Sequence, residues 1–167
     1  ARALTILQRS DSPRSRDLAM ALSVQGNIFS RTGNFQAARA SLEESLQIRE
    51  DLLGSAHPYV ARTLAQLGML ENNMGNYSAA LSLFQRALAI SETRLGSKNP
   101  EVAGLLTDIA QIYRVNGNLS EAQRHLERAL TIQEATVGGR HPFVAVALNE
   151  LAEIKRLQGD PSATRIL

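Results

Sequence analysis

The chain has 167 residues, 44% of them apolar and 20% charged, and 18 basic against 16 acidic side chains leave a net charge of +2. That length can bury a core unaided, and the absence of cysteine excludes disulfide frameworks and thiolate metal sites while fitting a reducing, cytoplasmic setting. The pI near 9.4 reflects only the small basic surplus, and with 4 Phe, 3 Tyr and no Trp there is little to stack on bases, so nucleic acid is not an expected partner. No apolar run approaches the roughly 18 residues of a membrane helix, so no membrane partner is expected either.

One period orders the elements. Gly33, Gly75, Gly117 and Gly159 are spaced by 42 residues, as are Gly54, Gly96 and Gly138, and Pro58, Pro100 and Pro142. Apolar positions keep the same step: Leu22, Leu64, Leu106 and Leu148; Leu4, Leu46, Leu88 and Leu130; Ile6, Ile48, Ile90 and Ile132. Such self-similarity signals a repeat architecture. Residues 1–10 therefore take the register of a second helix from a preceding repeat, followed by repeats over 16–57, 58–99 and 100–141 and a partial one over 142–167. Four periods of 42 make 168, so the length counts repeats, and the shifted frame suggests a segment of a longer array. Apolar surface around Leu148 and Leu151 is expected to be under-covered. The basic run Arg9, Arg14 and Arg16, interrupted by Asp11 and Asp17, reads as a solvated linker.

Each period predicts two helices. Pro58, Pro100 and Pro142 suit a first helical position, which puts His57, Asn99 and His141 at the N-cap. Val60, Leu64, Leu67 and Leu70 then recur at helical spacing until Gly75 ends the helix. Asn76 is expected to cap the second helix, with Tyr77, Ala80, Leu81, Phe84, Leu88 and Ser91 inward, and Asn118 with Glu121 predicts a capping box. Small residues recur where paired helices must touch: Gly26, Gly68, Ala110 and Ala152 on the first, Ala38, Ala80 and Ala122 on the second. Short links make the pairs antiparallel, and a lone hairpin cannot bury both faces, so the expected fold is an all-α solenoid without β-strands.

Leu64-x2-Leu67-Gly68 followed by Ala80-x3-Phe84 resembles the tetratricopeptide pattern, and Leu106-x2-Ile109-Ala110-x2-Tyr113 with Ala122-x3-Leu126 repeats it. With its H-P-x-V-A, G-N-Y and R-A-L signatures, the chain is similar to the 42-residue repeats of kinesin light chains and their bacterial relatives. The resemblance implies a right-handed superhelix whose first helices line a concave groove for a protein or peptide. It implies groove residues Asn27 and Arg31; Arg62, Gln66, Met69, Asn72 and Asn73; Asp108, Gln111 and Arg114; and Asn149, Glu153 and Arg156. Met20, Ser23, Ser30, Ala65, Gly104, Thr107, Val115, Val146, Glu150 and Leu157 share those faces. Ser23, Gly104 and Asp108 depart from a carboxylate clamp. Only Asn149 keeps the backbone-gripping asparagine of kinesin-light-chain-like repeats, where Ser23, Ala65 and Thr107 depart.

No catalytic constellation is expected. His57 and His141 share a repeat position with Asn99, so capping accounts for all three, and His125 reads as solvent-facing. No metal-ligand spacing, nucleophile elbow or phosphate loop occurs, and no cofactor is implied. Glu121, Arg124 and Glu127 suit surface pairing at i,i+3, whereas Glu43 and Glu44 point to different sides of one helix. The expected function is a non-enzymatic interaction module. Docking in cis on an enzymatic domain (kinase, protease-like or signalling) and end-to-end self-association are the alternatives.

Overall fold

The computed structural model describes residues 13–139, 141–160 and 163. Among them are seven helices and no strand: α1 (Pro13–Arg31), α2 (Phe35–Leu53), α3 (Pro58–Asn73), α4 (Tyr77–Leu95), α5 (Pro100–Val115), α6 (Leu119–Val137) and α7 (Pro142–Leu157). The chain divides into two compact units, Ala1–Ile90 and Ser91–Leu167. In the first, α2 packs against both α1 and α3; in the second, α6 packs against both α5 and α7. The fold is all-α. The second helix expected over 1–10 lies outside the described residues, as does nearly all of 161–167.

Local chemistry repeats with the sequence. At the end of α3 the Asn76 N–H donates to the Glu71 carbonyl at 2.8 Å and the Gly75 N–H to that of Asn72 at 3.0 Å, with Gly75 at φ +79°. This reversal satisfies carbonyls that the helix end would leave orphaned, and only glycine enters it without a steric penalty. The same long bond closes α1 (Asn34 to Phe29), α5 (Asn118 to Tyr113) and α7 (Asp160 to Lys155), each at 2.9 Å. At the other link His57 Nδ1 accepts from the Tyr59 N–H at 3.1 Å and Asn99 Oδ1 from that of Glu101 at 2.9 Å. A ring nitrogen and an amide oxygen thus do one job, as their shared register requires.

The two cores are register copies. In the first unit Ala38, Leu42, Leu67 and Leu70 pack together, flanked by Phe29, Phe35 and Leu46. In the second, Ala122, Leu126, Leu151 and Ile154 do so, flanked by Tyr113, Leu119 and Leu130, each 84 residues on. Close helix approach explains the small residues. A Cβ on Gly26 would lie 2.6 Å from Leu42 Cγ, and one on Gly68 would lie 2.9 Å from the Phe84 ring. Ala110 takes that register position beside the smaller Leu126. One ion pair also obeys the period: Arg86 with Glu50, and Arg128 with Glu92. Where the period breaks, a compensation appears. Phe29 and Tyr113 give way to buried Glu71, whose carboxylate accepts from Arg39 at 2.5 Å and from the Asn76 amide at 2.8 Å.

Four expectations need correction. Leu151 is buried, because α6 brings Leu126 and Ala122 against it. The linker reading fails at Arg14 and Arg16, since α1 already begins at Pro13 and both lie within its first turns. Only half of the capping box forms: Asn118 Oδ1 accepts from the Glu121 N–H at 3.3 Å, but the Glu121 carboxylate turns to Arg124, whose guanidinium outcompetes a backbone amide already committed to Tyr113. Asn76 stands at the start of α4, where its carbonyl accepts from the Ala80 N–H at 3.0 Å, and its amide nitrogen donates to Glu71. His125 is not solvent-facing: its Nδ1 lies 2.8 Å from the Glu121 carbonyl, and its ring centroid lies 5.3 Å from that of Tyr113.

Candidate functional site

The exposed faces of the first helices are set by what the cores leave over. On α3, Val60, Leu64, Leu67 and Leu70 are buried, which turns Arg62, Met69 and Asn73 to solvent and leaves Gln66 and Asn72 half-buried. On α1, Asn27 and Arg31 are exposed, as is Met20. Ser23 is buried: its hydroxyl donates to Gln66 Oε1 at 3.1 Å and its oxygen lies 3.2 Å from Ser45 Oγ. Ser45 donates to the Ala19 carbonyl at 2.7 Å, so α1 is hydrogen-bonded to α2 through Ser45 and to α3 through Ser23 and Gln66. The structure thereby joins Gln66 to α1, whereas no hydrogen bond links Asn27 or Arg31 to the α3 residues.

Arg49, which the sequence reading passed over, is the main polar feature of this unit. It lies on α2 and is only 9% exposed. Its Nη1 donates to Thr63 Oγ1 at 2.6 Å and to the Tyr59 carbonyl at 3.1 Å, and its guanidinium carbon sits 5.7 Å from the Tyr59 ring centre. Burial and then the nearby Arg62 push its pKa down, which only the Tyr59 ring opposes. Among the described residues no carboxylate lies within ion-pairing distance of Arg49 or Arg62. A signal was available: Arg49 stands at the register of Ser91 and Gln133, a position the period makes inward-facing.

The second unit places carboxylates and arginines together on its first helices. On α5 and α7, Gln111, Asn149 and Arg156 are exposed, while Asp108, Arg114 and Glu153 are half-buried. Burial, and then the charge of Glu150, raise Asp108 to a pKa of about 6. Glu150 is also raised, by burial, with Arg114 pulling the other way. Glu153 takes both Arg156 Nε at 2.8 Å and Nη2 at 2.6 Å in a two-pronged pair, and that bond holds its carboxyl below the usual range. Asp108, Arg114, Glu150 and Glu153 thus interact electrostatically across α5 and α7. Gln133 Oε1, at the register of Arg49, is buried without a hydrogen-bond partner.

Among the described residues no group of three or more His, Asp or Glu side chains is placed to hold a metal ion. No helix there is long and apolar enough to cross a membrane. The family model described as Tetratricopeptide repeat matches residues 17–93 and 101–163. The chain belongs to the tetratricopeptide repeat family. Tetratricopeptide repeats are in general protein–protein interaction modules and are typically non-catalytic. The TPR-like repeats of a candidate kinesin light chain from Podosopora anserina match with a TM-score of 0.81 at 24% identity, over 93% of this chain and 74% of that one. BtubC (BKLC) from P. vanneervenii matches with a TM-score of 0.83 at 21% identity, over 93% of this chain and 61% of that one. The apo form of RapI matches with a TM-score of 0.79 at 18% identity, over 91% of this chain and 41% of that one. These likenesses identify the fold as the kinesin-light-chain-like tetratricopeptide solenoid. No curated protein matches the sequence significantly.

Proposed function

We propose that the chain is a non-catalytic tetratricopeptide module that presents the exposed first-helix faces to a peptide or helix of a partner protein or domain in the cytoplasm. One observation carries the reading. The 42-residue period explains the core, the helix ends and a repeated ion pair, yet it leaves Arg62, Met69 and Asn73 on α3 and Gln111 and Asn149 on α5 and α7 exposed with no part in the core. Amides can donate to and accept from an extended backbone, and a methionine thioether adapts to varied apolar groups. Those chemistries suit a peptide, and no cofactor is needed.

The test is affinity capture from an extract of the source organism with the 167-residue chain, identifying what is retained by mass spectrometry. The Arg62→Ala, Asn72→Ala, Arg114→Ala triple variant should lose a partner that the parent chain retains. Retention of the same proteins by both would overturn the assignment of these faces.

A further inference from the structure

An arginine buried to nine-tenths normally brings a carboxylate with it, because removing a guanidinium from water is costly unless charge and hydrogen bonds are returned. Arg49 departs from that rule. Its two hydrogen bonds, to Thr63 Oγ1 and the Tyr59 carbonyl, both use Nη1 and supply dipoles but no counter-charge. Arg62, of the same sign, acts on it electrostatically. An arginine keeps its charge at physiological pH. Arg49 and Arg62 therefore stand without a carboxylate partner among the described residues, with Arg49 beside a tyrosine that is 54% exposed.

From this geometry we infer that Arg49, Arg62 and Tyr59 form an anion subsite that receives a glutamate or aspartate side chain of a protein partner. The inference rests on the protein-binding reading above and names the partner's chemistry. With Nη1 committed, the Nε–Nη2 edge of Arg49 remains, and such an edge matches the two oxygens of a planar carboxylate. Arg62, exposed and unpaired, closes over the anion from the groove side, and Tyr59 supplies an apolar wall that lowers the local dielectric. The helix N-terminus contributes nothing. The Tyr59, Val60 and Ala61 N–H groups are already taken by His57 Nδ1 and the His57 carbonyl. A carboxylate at this point would return to Arg49 the counter-charge that the fold withholds.

The test titrates the 15N-labelled chain with hexaglutamate, hexaglutamine and a serine-rich peptide carrying one phosphoserine, following arginine Nε–Hε resonances. Hexaglutamate should shift the Arg49 and Arg62 signals and hexaglutamine should not. Arg62→Gln, which changes only an exposed side chain, should weaken hexaglutamate about tenfold, and Arg49→Met, which keeps the buried stem, at least as much. Lys98→Gln removes the same charge from the second unit and should leave binding unchanged. Unmoved Arg49 and Arg62 signals would overturn the inference, as would equal weakening by Lys98→Gln, or tighter binding of the phosphoserine peptide at the same arginines. Failure here is separable from failure of the general reading. A partner lost with Asn72→Ala but indifferent to Arg62→Gln would leave the module standing and remove the subsite.

Discussion

The two units have matching cores and differ in the charged groups on their first helices. Ala38, Leu42, Leu67 and Leu70 in the first unit reappear as Ala122, Leu126, Leu151 and Ile154 in the second, yet in the first Arg49 and Arg62 have no carboxylate partner among the described residues, while in the second Asp108, Glu150 and Glu153 stand with Arg114 and Arg156. Stacking fixes only the inward positions of a repeat, because only those meet an adjacent helix. The remaining faces answer to whatever touches them. A repeated core alongside differing surfaces is the pattern expected of a scaffold whose repeats offer different chemistry.

The comparison is broken most directly in the cores. Leu42→Ala and Leu126→Ala should each cost about 2–5 kcal/mol in urea unfolding, since both remove a fully buried side chain from matching clusters. A cost confined to one unit would mean that the cores are not equivalent. The helix approach gives the next effect. Gly68→Val should destabilise by about 1–3 kcal/mol, because its Cβ would meet the Phe84 ring at 2.9 Å and the ring edge cannot withdraw without moving α4. An unchanged midpoint would show that the ring repacks freely.

Electrostatics sharpen the contrast at smaller magnitude. Asp108 has its pKa raised from 3.8 to about 6 in the folded chain, so the native state holds its proton more tightly than the unfolded chain. Between those values the native state binds more protons, and stability therefore falls as pH rises from about 4 to about 6. Above that window the ionised carboxylate imposes its full penalty. Asp108→Asn should therefore raise stability near pH 7.5 by about 1 kcal/mol and flatten the melting profile across pH 4–6. A pH 4–6 melting profile that Asp108→Asn leaves unchanged would contradict the burial of that carboxylate. Smallest of all, Arg86→Gln and Arg128→Gln break the repeated exposed ion pairs and should each cost less than about 1 kcal/mol.

The scaffold was legible in the sequence because glycine, proline and cap residues act locally. The φ of Gly75 and the capping nitrogen of His57 depend on neighbours within a few residues, and the period fixes those neighbours. Gly26 and Gly68 were legible for a related reason, since close helix approach tolerates little else. What escaped depends on partners far apart in the chain. Arg86 meets Glu50 only because two second helices lie side by side, and Arg49 reaches Thr63 only because α2 lies against α3. Glu71 is buried where its register mates are aromatic, because Arg39, 32 residues earlier on a second helix, covers it. His125 misled because its neighbours Arg124 and Glu127 are exposed, while one helix face further round its ring meets Tyr113.

The central claim is that surface and core are separate: the period holds the fold and the leftover faces hold the partner. The most direct measurement pairs thermal melting with partner capture for two variants, Leu64→Ala and the double variant Arg62→Ala, Asn72→Ala. The account predicts that Leu64→Ala lowers the melting temperature strongly, while the double variant melts like the parent chain and loses the captured protein. Equal destabilisation by both, or capture that survives the double variant, would contradict it.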